Sequence, residues 1–181
     1  MRNAIRVLLC LAALSGPAAV SAATQEAPLV PLHVRQVLLV NNTPAVLLVD
    51  EAEQRYLLMY IDFFMAHAIR MGLDGAQLER PLTHDLIGIL LRRLGAQVTG
   101  VTITELKDNT YYALISVRVN GNGDVAEFDA RPSDALAIAV RNRSPILAAP
   151  TLLRPIQDGE GIPGAPEGPG GRGGPVPRGK T

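Results

Sequence analysis

Asp129-Ala130-Arg131-Pro132-Ser133-Asp134-Ala135-Leu136-Ala137 decides the fold class, because it changes periodicity in mid-course. The residues leading into it, 125–129, alternate as a short strand. The residues leading out of it, 134–142, read as a helix whose interior, Ala135 to Val140, is apolar nearly all round and belongs in a core. Ser133 stands where a helix N-cap is expected. A strand that turns at Arg-Pro into a buried helix calls for helices packed on a sheet.

The same punctuation occurs upstream. Arg80-Pro81-Leu82-Thr83-His84-Asp85 precedes a helix with Thr83 as its expected cap and Gly95 as its stop; Leu86, Ile87, Leu90, Leu91 and Leu94 form its apolar face. Residues 34–40, 45–49 and 56–61 read as a first three-stranded meander, with Asn41-Asn42-Thr43-Pro44 as one of its turns, and 63–71 as a helix. Residues 98–106, 110–120 and 125–129 read as a second meander, joined by Lys107-Asp108-Asn109 and Gly121-Asn122-Gly123. The expected class is α+β, in the order βββααβββα: a largely antiparallel or mixed sheet of two meanders packed with three helices. The two Arg-Pro corners also hint at a partial internal duplication.

The ends read differently. Arg2 and Arg6, an apolar run over 7–14 and small residues over 15–23 have the order of a secretory signal peptide. The apolar run is too short to span a bilayer, so the expectation is an exported chain, periplasmic or secreted, with no stable membrane span after cleavage. Residues 155–181 contain fifteen Gly or Pro in 27 positions, a composition that cannot offset its ordering entropy. The expected layout is therefore a signal peptide at 1–23, one domain at 24–154 and a disordered Gly/Pro-rich tail at 155–181.

Seventeen Lys+Arg against seventeen Asp+Glu excludes a strongly basic nucleic-acid coat, and seven aromatics without Trp speak against a surface built mainly to stack bases. The single Cys10 cannot form an internal disulfide. Gly-x-Ser-x-Gly elbows, His-Glu-x-x-His pairs and phosphate loops ending in Gly-Lys-Ser/Thr are all missing.

Polar residues instead collect at the two Arg-Pro corners. One offers Arg80, Thr83, His84 and Asp85; the other offers Asp129, Arg131, Ser133 and Asp134. Plain structural roles fit them: an Asp in a first turn complements the helix dipole, and Arg131 can pair with Asp129 or Asp134. If the corners meet, however, Asp85, Asp129 and Asp134 could hold a divalent cation (Mg or Mn), with His84 as general acid or base. Arg80 and Arg131, with Thr83 and Ser133, could hold a phosphate. Convergence of the corners is the condition.

Three motifs carry a resemblance. Arg80-Pro81-Leu82-Thr83-His84-Asp85-Leu86, Asp108-Asn109-Thr110-Tyr111-Tyr112-Ala113 and the 129–137 stretch resemble, in this order, the bifunctional nuclease domain family. The likeness runs from about Val34 to Leu152. It implies a self-associating α+β domain, a homodimer or higher homo-oligomer, with nuclease activity on RNA or single-stranded DNA. By motif it points to Thr83, His84 and Asp85, and to Asp129, Arg131, Ser133 and Asp134. One stretch departs from the family pattern: Asp62 follows Ile61, and Met65 stands where relatives carry Glu. The expected function is an exported nuclease-like phosphodiester hydrolase; the alternative is a non-catalytic binding or self-assembly module of the same fold.

Overall fold

The computed structural model describes residues 27–76, 78–119 and 123–157. The segment read as a signal peptide, most of the expected tail and residues 121 and 122 of the expected Gly121-Asn122-Gly123 turn lie outside the described residues. Eight strands and three α-helices follow one another as β1 (Val30–Val40), β2 (Thr43–Asp50), β3 (Arg55–Tyr60), α1 (Phe63–Leu73), α2 (Thr83–Arg93), β4 (Ala96–Lys107), β5 (Thr110–Val119), β6 (Val125–Ala130), α3 (Pro132–Asn142), β7 (Ile146–Ala148) and β8 (Arg154–Pro155), with a 3₁₀ turn at Pro150–Leu152. The α+β class and both meanders stand as expected.

The meanders form one mixed sheet in the order β6-β5-β4-β7-β1-β2-β3-β8. The joint is β7, which pairs antiparallel with β1 and parallel with β4. Two of the hairpin turns follow from asparagine chemistry. Asn41 and Asn42 have φ of 48° and 63°, and Asp108 and Asn109 have 48° and 58°, the left-handed pair that a two-residue turn of matching twist requires. The β2–β3 turn is held by a carboxylate: Asp50 accepts the backbone N–H groups of Gln54 (2.8 Å) and Arg55 (3.0 Å) and the Arg55 Nε (2.9 Å).

The helices cover one face of the sheet. On β5, Ala113, Ile115 and Val117 are buried, in register with the buried Ile103, Val101 and Val98 of β4. Helix α3 lies against this surface and between α1 and α2, which buries Ala135 through Ala139. The expected cap positions shift by one or two residues. Leu82 and Arg131 are the N-caps, so Thr83 is the first residue of α2 and Ser133 the second of α3. Pro132, with its fixed φ and no N–H to leave unpaired, takes the first position of α3.

Helix α2 is turned differently from its apolar pattern. Ile87 and Leu91 pack against the core and Gly88 is buried, while Leu86, Leu90 and Leu94 are 45%, 51% and 76% exposed. The inward side carries His84 and Asp85 instead. Two polar groups can sit there because each finds a partner on α3.

Candidate active site

Asp85 and Asp134 each occupy the third position of their helix, and α3 brings the two starts together. His84 Nε2 lies 3.2 Å from Asp134 Oδ1. Arg131 grips the same carboxylate with two prongs, Nε to Oδ2 at 2.6 Å and Nη2 to Oδ1 at 3.2 Å. A polar line therefore runs from α2 through Asp134 to Arg131. His84 is nearly buried, with 12% of its side chain exposed, whereas Arg131 is 70% exposed.

Burial alone would raise the Asp134 pKa. The hydrogen bonds from Arg131 and His84 outweigh that and hold the carboxyl below its ordinary range. The same hydrogen bond, then the charge of Asp134, raises the Arg131 pKa, with a further contribution from Asp62. Arg131 is thus a fixed cation that remains largely exposed.

Arg131 lines a cleft of ≈ 520 Å³ between the β3–α1 corner, the β4–β5 hairpin and the start of α3. Asp62, Asn109, Thr110, Tyr111, Arg131 and Ser133 are among its walls. Asp62 also caps α1, its Oδ1 accepting the Met65 N–H at 2.8 Å. Met65 itself is buried in the core.

The sequence candidates divide accordingly. Arg131 and Ser133 line the cleft, Asp134 stands behind Arg131, and His84 stands behind Asp134. Asp85 faces another way: Arg141 Nε donates to its Oδ1 (2.6 Å) and the Leu82 N–H to its Oδ2 (3.0 Å). Arg141 is itself almost buried and also donates to the carbonyls of Ala68 (2.8 Å) and Ala137 (2.9 Å), so this pair ties the three helices together. Asp129 is exposed on β6 opposite Leu114, on the sheet face turned away from the Ala113 and Ile115 side. Arg80 and Thr83 are exposed and do not line the cleft.

Asp85, Asp129 and Asp134 are not brought together as one ligand set. Among the described residues no group of three His, Cys, Asp or Glu could hold a metal ion. The donors named in the sequence do not fit a common cation. Nor did sequence reasoning assign a role to Asn109, Thr110 or Tyr111, although the 108–113 motif was one of the three that carried the resemblance.

The bifunctional nuclease domain model matches residues 46–158, more than half of the chain, and takes in most of β2, everything from β3 through β8, the cleft and all three helices. The chain belongs to the bifunctional nuclease domain family. An uncharacterised protein of Mycobacterium tuberculosis is 37% identical over 113 residues, covering 62% of this chain and 66% of that protein. Bifunctional nuclease 1 of Arabidopsis thaliana is 31% identical over 124 residues, 65% of this chain but 38% of the plant protein. A bifunctional nuclease of Oryza minuta is 31% identical over 76 residues, 23% of its length. The chain thus spans about two thirds of its mycobacterial relative and well under half of the plant ones. Its nuclease-like family is established at the level of the domain.

Proposed function

We propose that this domain is a nuclease-like hydrolase that takes a nucleic-acid phosphodiester into the cleft at Arg131. The observation that carries this reading is the convergence of the two Arg-Pro corners on one carboxylate, with Arg131 held at the mouth of a cleft in a nuclease-like family. Arg131 receives the phosphate and offsets charge that develops on it. Asp134 fixes the guanidinium, and His84 fixes Asp134; both are positioning residues. Asp62, the carboxylate on the opposite wall, can accept the proton of an attacking water or ribose hydroxyl. Export of the mature chain belongs to the same reading and rests on the N-terminal sequence alone. Among the described residues no helix is long and apolar enough to cross a membrane.

A second reading has its own observation. Asp85 and Asp134 are each neutralised by an arginine, as befits a binding module without catalysis. Incubation of the chain with single-stranded RNA and DNA, in Mg²⁺ and in EDTA, separates the two and reads cation dependence directly. The hydrolase reading expects Arg131→Ala to lower turnover by about 100-fold, the usual cost of removing one electrostatic stabiliser. Equal turnover by the wild type and an Arg131→Ala/Asp62→Asn variant would leave the binding module.

A further inference from the structure

Helix α2 carries aliphatic side chains on two sides. Ile87 and Leu91 pack on the core, whereas Leu86, Ile89 and Leu90 face the other way and are exposed. Leu94, at the C-cap, is the most exposed large aliphatic side chain among the described residues. Spacings of three and four residues put 86, 89, 90 and 93 in one row along the helix. Thr83 opens that row and Arg93 ends it, and the chain has no acidic residue from Leu86 to Thr104.

The C-terminal end of α2 also borders a cavity of ≈ 360 Å³, walled by Arg92, Gln97, Arg141, Asn142 and Arg143 among others, with no carboxylate in its lining. Arg141 is answered by Asp85. The Arg92 guanidinium has only the Asn142 amide oxygen, at 3.4 Å. Arg143 is exposed, sits in left-handed backbone (φ 52°), and its guanidinium has no partner among the described residues. Basic residues at a helix C-terminus complement the dipole, which accounts for one arginine per end and not for four at the ends of α2 and α3. An uncovered aliphatic row and a surplus of positive charge thus meet at one helix end.

That pairing selects the occupant. A second copy laid against α2 would bring aliphatic surface but no carboxylate from the row to answer Arg93. A bilayer with anionic headgroups supplies both acyl chains and countercharge. The other exposed apolar pair, Phe63 and Phe64, follows directly on the carboxylate of Asp62 and lacks this match. We propose that α2 docks the domain on the surface of an anionic phospholipid bilayer. Leu86, Ile89, Leu90 and Leu94 enter the boundary between headgroups and acyl chains, Arg93 stays at headgroup level, and a lipid phosphate sits between Arg92 and Arg143. One short helix gives a reversible, salt-sensitive contact. No residue of α2 lines the cleft, so docking leaves the cleft open and the proposal is independent of the hydrolase reading.

The chain has no Trp, so Leu94→Trp gives the full chain a single indole on the proposed surface. A position-specific signal is needed because the apolar run over 7–14 can bind lipid by itself. Vesicles of phosphatidylglycerol and phosphatidylcholine in equal parts should shift its emission to the blue, and vesicles of phosphatidylcholine alone should need about 10-fold more lipid. Phe64→Trp, with its indole across α3 from α2, should not shift. In the Leu94→Trp background, Leu86→Ser/Leu90→Ser should weaken the response by about 10-fold or more, and Leu86→Met/Leu90→Met should preserve it. Arg92→Gln/Arg93→Gln/Arg143→Gln should weaken it by about 10- to 100-fold and bring the two vesicle types level. The changed side chains are exposed, so far-UV circular dichroism should be the same throughout. Absence of a shift with anionic vesicles would overturn the proposal, as would an equal shift at Phe64→Trp. An emission already blue without lipid, in a dimer that Leu86→Ser/Leu90→Ser dissociates, would give the face to a second copy. Binding of inorganic phosphate that depends on Arg92 and Arg143, by a chain that ignores vesicles, would give the arginines to a soluble anion; either result removes the bilayer.

Discussion

Asp50 and Asp134 are two carboxylates with similar partners and different duties, and single residues show why. Asp50 is buried, 5% exposed, yet its pKa is lowered: burial pushes it up, and hydrogen bonds from Arg55 and Gln54 more than reverse that. Arg55 is partly exposed, at 43% of its side chain, so water screens the ion pair, and Arg55→Ala should cost at most about 1 kcal/mol. The two backbone N–H groups carry the larger share. Asp50→Ala strands them in the β2–β3 turn and should cost about 2–3 kcal/mol in urea unfolding. Both carboxylates have folded pKa values below their unfolded ones. Their stabilisation is therefore complete above the ordinary carboxylate pKa of about 4 and fades as pH falls through the lowered value. Acid unfolding of Asp50→Asn should accordingly show a shallower loss of stability below about pH 4 than the wild type. At Asp134 the same protonation unclamps Arg131, so nucleic-acid affinity should fall in that acid window, and it should fall less in Asp134→Asn, where the clamp is already weakened.

At the scale of the element, α2 explains how much of the fold and site was legible and where reading stopped. Helices, meanders and class followed from periodicity and turn residues, because those signals are local. The inward side of α2 did not, because leucines at 86, 90 and 94 outweigh a histidine and an aspartate in any apolar count. That side is fixed by Arg141 and Asp134, more than forty residues away. The cleft was half legible for the same reason: Arg131 and Ser133 carry polar groups at a helix start, a local signal, whereas the hairpin residues, though part of a motif, become wall only through tertiary packing. The α1–α3 contact depends on a similar non-local fact. A Cβ on Gly72 would lie 2.6 Å from Val140 Cγ2 and 2.8 Å from Arg141 Nη1. Gly72→Ala should gain helix propensity and still destabilise by about 1–3 kcal/mol, because it pushes α3 away and disturbs the Arg141 bonds to α1 and α2. A thermal melt that rises on this substitution would mean that the helices slide apart freely.

For the whole molecule, three residues of β7 decide whether there is one sheet or two. Without them the meanders β1–β3 and β4–β6 would share only the helices. With them, Ile146 pairs with Leu32 on one side and Val101 on the other, and Ala148 with Val30 and Ile103. The splice extends to the backbone beside it, where Val101 N–H donates to Pro145 O (2.9 Å) and Ala149 N–H to Ile103 O (3.0 Å). So short a strand leaves no periodicity to detect, yet it couples the walls of the cleft: Tyr60 comes from the first meander and Tyr111 from the second. The molecule should therefore unfold in one step, with tyrosine fluorescence and far-UV circular dichroism changing together in urea. Ile146→Ala removes a buried side chain at the seam and should cost about 2–4 kcal/mol. Because the seam is common to both meanders, the loss should appear as a lower midpoint with the two signals still coincident. Separation of the signals in the wild type would show two independent sheets, and a cleft walled by both could not then hold a phosphodiester in a fixed geometry.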